Sequence, residues 1–327
     1  MSGIVASLGA RARAERGAAG LLDDFFRACL LTGNGKHATR TTKTARRFLW
    51  SAGIASPTAI TRQAVADYLS RLTVGGASRK TVLNHRAALS AFCRFCGDRG
   101  LLAGNPCREV RVAKPDERLP HYLDDGEIKA VLRIARERGI WAEVCLALST
   151  GLRLSELIRL QWPDVALGRK VLTVRISKGK RPRTVPLSRP ALLALRVQRR
   201  RAGRFDWVFP ARRTWPGGCC FVNRRRGINW WQKAIRPIQD AVPKFKEIPK
   251  GSTGRGWHLF RHTFASRAAQ AGVSLYKLAA WMGHRDVRTT QIYSHLQAGY
   301  EEAIELSAPA VGADARIARH QGEGRTP

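Results

Sequence analysis

Acidic side chains are scarce in this chain: 24 Asp and Glu stand against 58 Lys and Arg, a formal net charge of +34 over 327 residues. So one-sided a balance argues against cationic partners and for a polyanion. Long apolar runs are missing as well. No stretch of roughly 18 apolar residues occurs, so a membrane-spanning helix is not expected. The first Arg residues follow the apolar residues 4–8, the reverse of a secretory leader, and the expected location is the cytoplasm. Paired cysteines are also wanting, since the seven Cys fall at irregular spacings with no two-pair zinc pattern. Cys93-Arg-Phe-Cys96 is half of such a pattern, and its flanking Phe92 and Phe95 suggest structural thiols instead. Neither a Gly-rich nucleotide loop nor a carboxylate cluster suited to Mg²⁺ stands out. The expected chemistry therefore needs no cofactor and no metal.

What is present is charge spread over the whole chain. Residues 1–115 hold 19 basic and 6 acidic side chains, residues 116–310 hold 36 and 16, and residues 311–327 hold 3 and 2. A basic tail on a neutral globule is thereby excluded. With 44% hydrophobic residues the chain is long enough for two domains, each with its own core.

Apolar spacings of three and four begin at Leu21, and helices are expected near residues 21–30, 41–52, 61–72 and 78–97, with Thr61 and Ser78 as N-caps. Residues 1–20 read as disordered, 21–107 as an all-α domain, 108–120 as a Pro-bearing linker and 308–327 as a disordered tail. Residues 121–307 form a second domain of mixed α and β character. It opens on an Asp124 cap and continues through a helix from Trp141 to the Thr150-Gly151 turn. Val171–Ile176 and Arg183–Leu187 read as two short strands around a cationic tip, Ser177-Lys-Gly-Lys-Arg-Pro182. Residues 203–218 read as irregular, and the last third as helical. The fold class is thus mainly α with a small antiparallel sheet.

Within that second domain, one set of residue types suits phosphodiester chemistry. Moving a phosphodiester onto a protein oxygen takes a nucleophile, cations around the non-bridging oxygens and a proton donor for the departing sugar oxygen. Tyr293 supplies a phenol. Arg153 follows Thr150-Gly-Leu, and Glu156 lies three positions on, on the same helical face. His258-Leu-Phe-Arg261 presents an imidazole and a guanidinium from one turn, Gly283-His284 adds a second imidazole, and the hairpin tip offers Lys178 and Lys180.

In order and local context these residues resemble a tyrosine recombinase of the phage integrase family, over roughly residues 121–300. The resemblance implies a catalytic domain of the DNA breaking-rejoining type, preceded by a helical core-binding domain. It implies that Arg153 and Arg261 grip the scissile phosphate, that His258 accepts a proton or bonds the phosphate, and that His284 donates to a non-bridging oxygen. Lys178, or its neighbour Lys180, protonates the leaving 5′ oxygen, Tyr293 attacks, and Glu156 orients the cluster. His262, beside Arg261, is expected to point elsewhere and carries no assignment.

Double-stranded DNA is the implied partner. Arg40, Lys43, Arg46 and Arg47 share one predicted helix, Arg79, Lys80 and Arg86 another, Lys180 on the hairpin tip is a further DNA-binding candidate, and Arg199-Arg-Arg201, Arg212-Arg213 and Arg224-Arg-Arg226 form runs in the second domain. By resemblance the two domains close on a duplex, four copies assemble on paired sites, and an apolar stripe of Tyr300, Ala303, Ile304 and Leu306 docks on a neighbouring protomer or on its own domain. Two other readings use the same residues: a type IB-like topoisomerase, and a non-catalytic DNA-binding regulator.

Overall fold

The structure, a computed structural model, describes residues 17–33, 35–114, 119–175, 182–202, 204–215, 218–249, 254–284 and 286–297. Lys178, Lys180, the apolar stripe beyond Tyr293 and the segments 1–16 and 308–327 lie outside the described residues. The chain divides into two compact units, Met1–Glu117 and Arg118–Pro327. Among the described residues no helix is long and apolar enough to cross a membrane.

The first unit is built, among its described residues, from helices α1 (Gly17–Thr32), α2 (Gly35–Ser51), α3 (Arg62–Val74) and α4 (Arg79–Gly97), with short 3₁₀ turns. The starts of α3 and α4 are set by side-chain caps. Thr61 Oγ1 accepts from the Ala64 N–H at 3.1 Å and Ser78 Oγ from the Thr81 N–H at 3.2 Å, which satisfies donors that a helix start leaves open. α2 starts six residues before the expected Thr41, and its early turn buries Ala38 completely. The core is aromatic. The Phe25 ring packs against Phe92 and Phe95 at centroid distances of 5.1 and 5.2 Å, and Phe48 meets the Tyr68 ring at 5.3 Å. Cys93, Cys96 and Cys107 are buried in it, the sulfurs of Cys93 and Cys107 lying 3.8 Å apart.

The second unit opens with α5 (Asp125–Glu137), closed by a reciprocal cap: Asp124 Oδ1 accepts from the Glu127 N–H at 2.7 Å, and Glu127 Oε2 from the Asp124 N–H at 2.9 Å. α6 (Trp141–Thr150) and the short α7 (Leu154–Ile158) follow, then strands β1 (Val165–Ala166), β2 (Val171–Val174) and β3 (Arg183–Pro186) in one antiparallel sheet. Leu172 pairs with Val185, and both are fully buried, so one face of the hairpin is tied to the core. After α8 (Arg189–Ala202), the stretch expected to be irregular holds β4 (Pro210–Trp215), the first strand of a second hairpin whose other strand, β5 (Gly218–Arg225), runs on beyond it. Its arginine-rich strands lack clean alternation of apolar and polar residues, the signal by which a strand is recognised.

Three short helices, α9 (Ile228–Ala234), α10 (Arg236–Ala241) and α11 (Lys244–Glu247), lead to α12 (Trp257–Gln270) and α13 (Leu275–Met282). Residues 287–289 and 291–296 then form 3₁₀ turns in place of the expected helix. α12 is the central strut. The Trp257 ring stacks edge-on against Trp231 at 5.0 Å and Phe260 at 5.5 Å, and Trp257 Nε1 donates to the Trp231 carbonyl at 2.8 Å. Burial of Trp257, Leu259, Phe260 and Thr263 fixes the rotation of α12, and with it where His258, Arg261 and His262 emerge.

Candidate active site

Two helix ends build the site. α6 stops at Gly151, whose φ of +61° is left-handed, and α13 stops at Gly283 with φ of +64°, conformations that favour glycine. Each end exposes last-turn carbonyls that have no partner within the helix and carry the negative end of its dipole. Arginines occupy both.

Arg261 Nη1 donates to the Gly151 carbonyl at 2.6 Å and Nη2 to the Met282 carbonyl at 2.7 Å. Arg153 reaches the same Met282 oxygen at 3.2 Å and the Gly283 carbonyl at 3.2 Å. A third guanidinium, Arg183 from β3, donates through Nε to the Trp281 carbonyl at 2.7 Å. Three cations thus stand on three successive carbonyls at the end of α13, and the geometry brings together residues as far as 130 positions apart.

Among the described residues, one carboxylate balances them. Glu156 accepts from Arg183 at 3.0 and 2.7 Å, from Arg153 Nη1 at 3.1 Å and from the Arg153 N–H at 2.9 Å. Burial alone raises its carboxyl; the Arg183 fork and then Arg153 overcome that and hold it at about 2. The Arg261 guanidinium, 5% exposed, is lowered to about 9, chiefly by burial and then by Arg153. An excess of positive charge held in a partly buried place is a site prepared for an anion.

The imidazoles fall into place around it. His284 Nε2 lies 3.0 Å from Arg261 Nη2, and its Nδ1 lies 2.7 Å from Thr290 Oγ1. A guanidinium has no lone pair to offer, so Nε2 must accept and Nδ1 carries the proton to Thr290. Burial first, then Arg261 and Arg153, push His284 down to about 4. His258 is half-buried beside the arginines and makes no side-chain hydrogen bond among the described residues. Its imidazole is lowered by burial, then by Arg261 and Arg153.

Tyr293 is 1% exposed, with its ring in a small cluster of Ala265, Ala269, Leu278 and Met282. Its hydroxyl lies 2.7 Å from Nδ1 of His262, the residue that sequence alone turned away from the site. Burial raises the phenol to about 12 against an opposing pull from Arg261, which places the phenol within the field of the clamp.

This constellation coincides with similarity to known proteins. Residues 117–299 match the Phage integrase family. The chain belongs to that family, the tyrosine recombinases. A tyrosine recombinase XerC of Mycobacterium bovis is 29% identical over 264 residues, covering 76% of this chain and 84% of the relative. Among solved structures, the Tn1549 transposon integrase in complex with circular intermediate DNA superposes with a TM-score of 0.66 at 20% identity, covering 88% of this chain and 98% of that one. A lambda integrase tetramer bound to a Holliday junction gives 0.65 at 20% identity, covering 87% and 79%. Both share the fold of this phage integrase family member.

The basic residues expected to meet DNA divide into two groups. Arg40, Lys43, Arg46 and Arg47 are exposed on α2, as are Arg79 and Lys80 at the start of α4. Arg86 is spent internally: its Nε donates to the Cys107 carbonyl at 3.1 Å and its Nη2 to the Arg108 carbonyl at 3.3 Å. Arg226 likewise turns inward, 2.6 Å from the buried Glu143 and over the Trp230 ring. Sequence alone did not single out Arg183, Thr290 or His262 for the site. Arg183 had a faint signal in its alternate position on the strand after the cationic tip; the other two had none.

Proposed function

We propose that this tyrosine recombinase cuts and rejoins DNA at specific sites through a 3′-phosphotyrosyl intermediate on Tyr293, resolving strands by way of a Holliday junction. The reading is carried by three guanidiniums gathered on the carbonyls of α13 with, among the described residues, only Glu156 to balance them. A scissile phosphate supplies the missing negative charge, and Arg153 and Arg261 neutralise its oxygens as the pentavalent state forms. The phenol ester keeps the bond energy, so that joining needs no nucleotide. Lys178 or Lys180 protonates the leaving 5′ oxygen in this scheme, His258 lies against the phosphate, and Glu156 holds Arg153 in place. Two copies at each of two paired sites make the tetramer, and the segment after Tyr293 docks on a neighbour.

The test is a nicked suicide duplex made from sequences recovered by mapping covalent adducts on genomic fragments. Wild-type protein gives a covalent adduct in EDTA, and Tyr293→Phe gives none. An adduct that survives in Tyr293→Phe rejects the scheme. Intact paired sites then yield a junction product; relaxation of supercoils without one is the topoisomerase outcome.

A further inference from the structure

The nucleophile must shed a proton, and a ring nitrogen of His262 lies within hydrogen-bond distance of its hydroxyl. The Tyr293 hydroxyl has one side-chain partner among the described residues, Nδ1 of His262 at 2.7 Å. The phenol is neutral at working pH, and the imidazole beside it is pushed down to about 4 by burial, then by His258, Arg261 and His121. In the tautomer whose Nδ1 carries the lone pair, Oη–H donates to Nδ1 across this 2.7 Å contact. His262 follows Arg261 directly on α12, about 100° further round the helix. One residue therefore holds the phosphate clamp and the next holds the nucleophile.

A buried tyrosine paired to a histidine is not unusual in itself. Tyr68 and His85 form such a hydrogen-bonded pair at 2.9 Å within the first unit, with Tyr68 buried in its core. What separates the two pairs is the neighbourhood. Arginines bear on both phenols, Arg47 and Arg71 on Tyr68 and Arg261 on Tyr293, but Arg261 also touches His284 and shares the Met282 carbonyl with Arg153.

We propose that His262 is a catalytic residue, the base that takes the proton of Tyr293 during strand cleavage and returns it during joining. The assignment rests on the phosphotyrosyl reading above. In cleavage the Oη–H bond breaks and its proton passes to Nδ1, the Oη–P bond forms, and the P–O5′ bond breaks with its electron pair going to the sugar oxygen, which the general acid protonates. In joining, the sugar hydroxyl gives its proton back to that acid and attacks phosphorus, and the imidazolium of His262 protonates the leaving phenol. His258, which the resemblance offers as a proton acceptor or as a partner of the phosphate, is left to the phosphate.

Transfer takes place as the Oη–P bond forms, because only then does the phenol oxygen become acidic enough for a weak base. His121, His258 and Arg261 face the imidazole and oppose its protonation, and the incoming phosphate offsets them.

The experiment uses the full chain and the suicide duplex on which wild-type adducts have been established. His262→Ala and His262→Asn are compared in single-turnover cleavage across pH. Both variants should cut about 10²-fold or more slowly while binding the duplex as wild type does. Their rates should climb steadily with pH, because the phenol must now ionise unaided. A fluorinated tyrosine of lower pKa placed at position 293 should restore most of the loss in the variants and little in wild type. Cleavage within a few-fold of wild type in either variant, or faster, overturns the assignment. So does a loss that neither high pH nor the fluorinated phenol repairs, which marks a packing role. If unmodified enzyme forms no adduct at all, the recombinase reading fails first and this one with it.

Discussion

Arg183 grips Glu156 with both terminal nitrogens, at 3.0 and 2.7 Å, and keeps its Nε for the Trp281 carbonyl. One side chain thus binds the β3 strand, the α7 turn and the end of α13 together. Because Glu156 also holds Arg153, the phosphate clamp inherits its geometry from Arg183, a residue that sequence alone did not single out.

That linkage has a pH signature. A carboxyl held near 2 against an ordinary 4.5 contributes about 3 kcal/mol of stability. The folded value is depressed, so this contribution is complete above about pH 4.5 and is lost as pH falls toward 2. Denaturant unfolding of wild type across that window should show the fall. Glu156→Gln should be less stable at pH 7 and have a flatter profile below pH 5; equal slopes for the two proteins would contradict the linkage.

The two left-handed glycines should differ in tolerance. A Cβ on Gly151 would overlap Cδ1 at the edge of the Phe264 ring, whereas on Gly283 it meets Arg183 side-chain atoms at 3.0 Å. Both Ala substitutions carry the left-handed cost of about 1–2 kcal/mol. Gly151→Ala adds a clash with a packed ring and should lower the melting temperature further. Gly283→Ala should instead displace Arg183 and cut strand cleavage by more than its modest loss of stability explains. Thermal melts paired with single-turnover cleavage separate the two effects.

How much of this was legible beforehand follows from range. Thr61, Ser78 and Asp124 mark helix starts because a cap bonds within three residues, and sequence shows that directly. Arg153, Arg261, His284 and Tyr293 stand out by their local motifs, though not the carbonyls that hold them. Arg183 reaches Trp281 across 98 positions, and His262 reaches Tyr293 across 31. No periodicity records such a contact. A helix turns the side chain of His262 away from that of its neighbour Arg261, which is why sequence set it aside, and that same turn aims it at the phenol.

His284 is expected to act as a neutral group. Its value near 4 leaves it uncharged from pH 5 upward, so cleavage should show no inflection from this residue between pH 5.5 and 8. Its orientation depends on Thr290, fully buried and 2.7 Å from Nδ1. Thr290→Val keeps the shape and removes the acceptor, which frees the ring from the tautomer that faces Arg261. Cleavage should fall about tenfold, equivalent to about 1.4 kcal/mol in the barrier, with DNA affinity unchanged. An equal loss in affinity would mean that the whole loop had moved.

Salt dependence should sort the cations of the first unit by job. Arg40, Lys43 and Arg47 lie on one exposed face of α2, spaced three and four residues apart, so they are placed to meet a phosphate backbone. Replacing any one of them by Ala should reduce the slope of log affinity against log salt by about 0.9. Arg86 holds the Cys107 and Arg108 carbonyls, and Arg86→Ala should leave that slope unaltered while lowering the melting temperature. Anisotropy titrations on a duplex from about 50 to 300 mM salt, at roughly six concentrations, resolve a change of that size. A slope that drops for Arg86→Ala and holds for the α2 variants would reverse the division of roles.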